Sequence, residues 1–321
     1  MLTPRPMFRP TGSGDMGQVG YRSGWAYVMT SLAPWMSDAA QVLLDDNVDG
    51  TFFLSDEAEA PVHRTPWIGI CHNPVSVPFE LGLGLKHLDN MPAWRESLPH
   101  LKLLVVLTAE AAPWVEKLWG VPTLALRHPT DPVARQWSPE AFRLNPSRKL
   151  VQIGLYLRNP DAIAQAPVPA WLEKARVNLP NPWAWKLEER YRKVFAHRPS
   201  LGVVTQIPHL DADAYDRLLS ENVVFLELLQ ATANNTVIEC IARATPVVVN
   251  RLPGPEWYLG KDYPLFYDDI GEVEALLTPE RILEAHAYLK RLPKDWLSGE
   301  AFARALAEGC LKAVPELWGE G

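Results

Sequence analysis

The residues best suited to chemistry lie in one short segment, Thr232-Ala233-Asn234-Asn235-Thr236-Val237-Ile238-Glu239, which runs on through Thr245-Pro246-Val247-Val248. A small polar cluster opens a short helix, a glutamate sits a turn inside it, and Thr-Pro leads into an apolar strand. Asn235 or Thr236 can cap the helix, so that its free N–H groups and positive dipole end face an anion. Glu239 lies on a neighbouring face, where a carboxylate can accept hydrogen bonds from a ribose diol. The layout suits a diphosphate. An ordinary capped helix with a surface glutamate is the competing reading, because caps are common.

Other candidates stand at the ends of apolar runs, where open α/β sheets bind ligands. His72 closes the run 67–72, and an imidazole ordinarily titrates near neutrality. Arg158 follows the run 149–155 and brings a cation. Residues 11–24 hold five glycines, among them Gly12, Gly14 and Gly17, with Asp15 between them. Such a loop can approach a ligand closely, but its spacing is not GxGxxG and no clear strand precedes it. Asp211-Ala212-Asp213 spells a metal-binding DxD, yet it opens a predicted helix, where acidic residues are favoured anyway. Asp45-Asp46-Asn47-Val48-Asp49-Gly50 lacks the closing glutamate of a calcium loop and reads as a turn between strands. No metal site is expected.

The elements that must position these residues alternate. Strands are predicted at 40–44, 50–54, 67–72, 101–107, 121–126, 149–155, 201–207, 223–228 and 247–250, and helices at 25–36, 109–119, 187–195 and 211–220. Thr108 is placed as a cap and Gly120 as a helix stop; 160–184 reads as a loop with a short helix or none. The tail from about 278 is helical, with caps at Thr278 and Ser298. Alternating strands and helices call for parallel sheets with right-handed crossovers.

The chain has 321 residues, which makes two domains the prior. Its charge of −7 argues against a broad nucleic-acid footprint. No apolar stretch approaches a membrane span, the N-terminus lacks a signal-peptide core, and Cys71, Cys240 and Cys310 form no CxxC pair, so a reduced, cytoplasmic protein is expected. Most of the thirteen tryptophans are expected to fill the core.

With these residues in view, the chain resembles a GT-B glycosyltransferase. Four pieces carry the likeness: the 101–129 strand–helix–strand unit, Val151-Gln152-Ile153-Gly154 followed by Arg158-Asn159, the 234–248 helix and strand, and Gly254-Pro255-Glu256, which resembles a glycine-rich turn. The resemblance implies an α/β fold of two Rossmann-like parallel-sheet domains facing across a cleft. These are an acceptor-side domain at 1–145, a nucleotide-sugar domain at 146–300, and a C-terminal helix at 301–321 packing back on the first.

It further implies a sugar donor activated by a nucleoside diphosphate, a UDP-sugar being the expected one, used without metal or other cofactor. Arg158, Asn234, Asn235 and Thr236 would hold the diphosphate and Glu239 the ribose. The base would pack near 205–209 and 225–229 against backbone groups. His72 is the first candidate for acid–base work, and Asp15 is its rival if the reaction inverts. Many retaining members carry two glutamates on the donor helix; Glu239 matches the second, and Ala231 stands where the first would be. Retention is slightly favoured. The acceptor stays open among protein, glycan and small molecule, and a homo-oligomer through the C-terminal helices is possible. The alternatives are a catalytically weak GT-B-like binding scaffold and, ranked below it, a dinucleotide-dependent oxidoreductase.

Overall fold

The computed structural model describes residues 3–11, 25–54, 60–78, 81, 84–132, 135–178 and 184–318. Gly12, Gly14, Asp15 and Gly17 lie outside the described residues. The chain divides into two compact units: among described residues, those up to Asp131 and from Asp295 onward form the first, and Pro132–Lys294 the second.

The first unit is built on β1 (Phe8–Pro10), β2 (Val42–Asp45), β3 (Trp67–Cys71), β4 (Leu101–Val106) and β5 (Thr123–Ala125), all parallel and in the spatial order β1-β2-β3-β4-β5. β3 and β4 are the near-continuous apolar runs WIGIC and LKLLVV, as strands covered on both faces require. Trp67 and Trp94 meet edge to face with ring centroids 5.8 Å apart, and Phe52 packs against both. These aromatic rings fill the core. The C-terminal helix Gly299–Ala313, capped by Ser298, belongs to this unit; its Gly299 N–H donates to the hydroxyl of Tyr27 in the helix Trp25–Leu32.

The second unit contains β6 (Lys149–Gln152), β7 (Glu173–Val177), β8 (Thr205–Ile207), β9 (Val223–Leu226), β10 (Val247–Asn250) and β11 (Phe266–Tyr267), again all parallel. Their order is β11-β10-β9-β6-β7-β8. The chain starts at β6, builds outward to β8, then returns to β9 on the other side. The reversal lies between β6 and β9, and a crevice at such a switch point is where doubly wound sheets bind ligands.

Several elements depart from the sequence expectation. The segment Gly50–Leu54, expected as a strand, is a π-helical turn. Asn47 Oδ1 accepts from the Gly50 N–H and Asp45 Oδ1 from the Thr51 hydroxyl, so side chains meet locally the needs a strand would meet with a neighbour. β7, with the sequence EKARV, was expected as loop. Its Lys174 buries its stem while the ammonium donates to the carbonyls of Ala164 and Leu201. The strand expected over 201–207 begins only at Thr205. Gly254-Pro255-Glu256 opens the helix Pro253–Leu259 instead of forming a turn. The helix Ala111–Trp119 starts two residues later than expected, and Thr108 accepts from the Glu110 N–H in the turn before it.

Candidate functional site

In the second unit, the chain leaves β6, turns through Gly154 (φ 78°) and Leu157 (φ 52°), and comes back so that Arg158 bridges Leu228 beyond β9. A left-handed leucine is strained by roughly 1–2 kcal/mol. The turn is held by the Asn159 N–H on the Glu227 carbonyl, 2.9 Å, and the Leu229 N–H on the Leu157 carbonyl, 2.8 Å. It folds the Arg158 guanidinium back over Gly154, where a Cβ would overlap it. Arg158 Nη2 then donates to Asn234 Oδ1 at 3.0 Å and to Thr236 Oγ1 at 3.1 Å.

Asn234, not Asn235 or Thr236, is the N-cap of the helix Asn235–Arg243, its Oδ1 accepting from the Val237 N–H at 3.2 Å. A nearly buried cation therefore sits at the positive end of a helix, held there by an amide and a hydroxyl. Its Nε is buried without a hydrogen-bond partner. Burial pulls the guanidinium down to about 10, against the fields of Tyr215, Glu239 and Tyr191, so it stays charged at neutral pH. Two sources of positive potential converge at the switch point of the sheet, the arrangement an anion requires.

Glu239 lies one turn inside the same helix, 2% exposed, and its Oε2 accepts the Tyr215 hydroxyl at 2.6 Å. Arg243, in the last turn, is ion-paired with Asp216, both fully buried. Near the expected base region, the Asn250 side chain binds both the N–H and the carbonyl of Leu228, at 2.7 and 2.9 Å. Asp211 of the DxD caps the helix Ala212–Glu221 through the Ala214 N–H, and Asp213 pairs with Arg135 and Arg217.

In the first unit, a second cluster forms at the carboxyl ends of β2, β3 and β5. His72 follows β3; its Nε2 lies 2.9 Å from the Asp46 carbonyl, which can only accept, so Nε2 carries the proton. Its N–H and that of Asn73 donate to Asp49 Oδ2, at 2.5 and 3.2 Å. Burial raises the carboxyl of Asp49, and likewise that of Asp46, which accepts the indole N–H of Trp25 at 2.6 Å. The Trp25 ring stands 4.4 Å from His72 and 5.5 Å from His128. His128 Nδ1 donates to the Pro129 carbonyl at 2.6 Å, and burial lowers the imidazole to about 4. His63 Nε2 and Asp45 Oδ2 form a buried pair at 2.8 Å.

Sequence reasoning singled out Arg158, Asn234, Thr236 and Glu239, and the structure brings the first three together and sets Glu239 one helical turn away. Asn235 lies in the first turn of the helix and, among the described residues, its side chain takes no part in this cluster. Gly154, Tyr215, Trp25, Asp49 and His128 were not singled out as site residues. A glycine just past an apolar strand was the one available signal for Gly154; Tyr215 joins Glu239 only through packing of separate helices.

No family model matches this chain, and no curated protein matches it by sequence. Solved structures do resemble it. One is described as trehalose-6-phosphate from E. coli bound with UDP-2-fluoro glucose: TM-score 0.56, 13% identity, covering 88% of this chain and 76% of that one. Another is the trehalose-6-phosphate synthase OtsA, with TM-score 0.55, 12% identity and coverage of 90% and 76%. A third is an α,α-trehalose 6-phosphate synthase from Burkholderia multivorans, with TM-score 0.52, 13% identity and coverage of 89% and 76%. At these identities the likeness establishes the fold class: α/β with two parallel-sheet, Rossmann-like units, as in GT-B glycosyltransferases.

Proposed function

We propose that this chain is a glycosyltransferase that moves a sugar from a nucleoside-diphosphate sugar to an acceptor nucleophile, without a metal. The observation that carries this reading is the convergence of the Arg158 guanidinium and the capped helix N-terminus at the switch point of the second sheet. In such a transfer the bond from the anomeric carbon to the diphosphate breaks and its electron pair goes onto the leaving oxygen. A new bond forms to the acceptor, which gives up its proton. Arg158 and the helix N–H groups stabilise the charge that develops on the diphosphate, a kind of donor worth on the order of 3 kcal/mol of barrier each. UDP is the favoured nucleotide, supported by the similar fold that was bound with UDP-2-fluoro glucose. His72 is the proposed group for proton transfer in the first unit, its ring held by the Nε2 contact to the Asp46 carbonyl. Retention of configuration is slightly favoured, on the match of Glu239 to one family glutamate.

No helix among the described residues is long and apolar enough to cross a membrane. The buried free thiols of Cys71, Cys240 and Cys310 support a reducing, cytoplasmic setting. The test is release of UDP from UDP-sugars, with and without EDTA. Turnover that survives chelation is expected; turnover lost in EDTA and restored by Mn²⁺ would overturn the metal-free mechanism.

A second reading, a binding scaffold without turnover, is favoured by one observation. The carboxylate of Glu239 is 2% exposed and engaged by Tyr215. Tight UDP binding with no detectable hydrolysis or transfer from any UDP-sugar would select it.

A further inference from the structure

Two arginines are buried at the ends of the helix Asn235–Arg243, Arg158 against its N-terminus and Arg243 in its last turn, and they are treated differently. Arg243 has a carboxylate partner, Asp216, and is neutralised within the fold. Among the described residues, Arg158 is held by hydrogen bonds to an amide oxygen and a hydroxyl, which orient a guanidinium without cancelling its charge. Glu239, one turn along the helix, contributes a compensating negative field, while its Oε2 accepts the Tyr215 hydroxyl. Two features set the guanidinium in this place. Gly154 leaves the space in which a Cβ would overlap it. Asn234 Oδ1 serves two donors at once, the Val237 N–H as the helix cap and Arg158 Nη2. The Nε of each arginine is buried without a hydrogen-bond partner, so what sets Arg158 apart is that its guanidinium faces an amide and a hydroxyl where Arg243 faces a carboxylate.

We propose that Asn234 and Gly154 are positioning residues: they fix Arg158 at the helix N-terminus, oriented by neutral acceptors, so that it meets a diphosphate. On this view Asn234 acts through Arg158 instead of contacting the ligand itself. The inference rests on the diphosphate-site reading above.

The substitutions Asn234→Ser and Asn234→Asp separate positioning from capping, because serine, aspartate and asparagine are comparable N-caps. Serine is too short to reach Arg158, and aspartate would pair with the guanidinium and quench it. The full-length chain and both variants are titrated calorimetrically with inorganic pyrophosphate and with UDP, and thermal midpoints are recorded without ligand. Midpoints near that of the parent are expected, with affinity for both ligands falling roughly tenfold or more, the scale of a lost charge-assisted hydrogen bond. Asn234→Ser adds no charge, so its loss of pyrophosphate affinity reports the displaced guanidinium, whereas a purely structural role for Asn234 would leave that affinity intact. Parent-like affinity in both variants would overturn the positioning role while leaving the diphosphate site standing. A parent that binds neither ligand would overturn both. If either variant unfolds, Gly154→Ala supplies the same test, since its Cβ displaces the guanidinium directly; parent-like affinity there equally overturns the proposal.

Discussion

At the scale of single residues, Glu239 shows how context reassigns a side chain. Its place on the helix suits a ribose, and the structure adds a buried hydrogen bond from Tyr215. Removing that donor strips a buried carboxylate of a partner, so Tyr215→Phe should destabilise the protein by roughly 1–3 kcal/mol in urea unfolding. An unchanged midpoint would mean that the carboxylate finds another donor or water. Arg158, Asn234 and Thr236 were legible because polar residues just past apolar strands stand where open α/β sheets bind ligands. Gly154 and Tyr215 were not, because their roles depend on which distant atoms arrive next to them, and no local spacing records that. The acid–histidine cluster of the first unit was half legible: His72 was visible at a strand end, while Asp49 reads in sequence as a turn residue.

At the scale of elements, the helix Pro253–Leu259 packs so closely on the chain before the cap that a Cβ on Gly254 would overlap the Ala231 carbonyl. Glycine to alanine inside a helix ordinarily stabilises by up to about 1 kcal/mol. Here overlap with backbone should reverse the sign, and Gly254→Ala should lose about 1–3 kcal/mol by chemical denaturation. A stabilised variant would show that the contact can relax. The same contact bears on Ala231, which is buried. Strands made of apolar runs, such as β3, β4, β9 and β10, were legible, whereas β7 was hidden by Glu173, Lys174 and Arg176. Lys174 is buried only because two backbone carbonyls from other segments receive its ammonium. The π-helical turn at Gly50–Leu54 escaped for a related reason: Asp45 and Asn47 satisfy it from outside its own sequence.

At the scale of the whole molecule, His128 ties stability to pH. Its imidazole is lowered to about 4 in the folded chain, below the usual 6.5, first by burial and then by the charge of His72. Between those values the unfolded chain binds more protons, so this contribution is complete above about 6.5 and is lost as pH falls toward 4. The full difference is on the order of 3 kcal/mol. Burial raises the carboxyls of Asp46 and Asp49, which acts with the opposite sign, so the effect is read by difference. His128→Gln should flatten the pH dependence of unfolding free energy between pH 7 and 4.5; a parent-like slope would contradict the assignment. The α/β class was legible from alternation and the two units from chain length and the GT-B resemblance, but the strand order of the second sheet, which creates the switch point, was not. Periodicity says that a segment is a strand and is silent about which neighbour it pairs with.

Calorimetric titration of UDP into the parent protein and into Arg158→Met, with GDP, ADP, CMP and NAD as comparators, tests the diphosphate site at its cation. Saturable binding of one nucleoside diphosphate, UDP being favoured, is predicted for the parent. In Arg158→Met the affinity should fall roughly tenfold to a hundredfold, with a thermal midpoint no lower than the parent's, because a buried cation is removed from the positive end of a helix. Binding of NAD alone, or UDP binding untouched by the loss of Arg158, would contradict the diphosphate site on which the account rests.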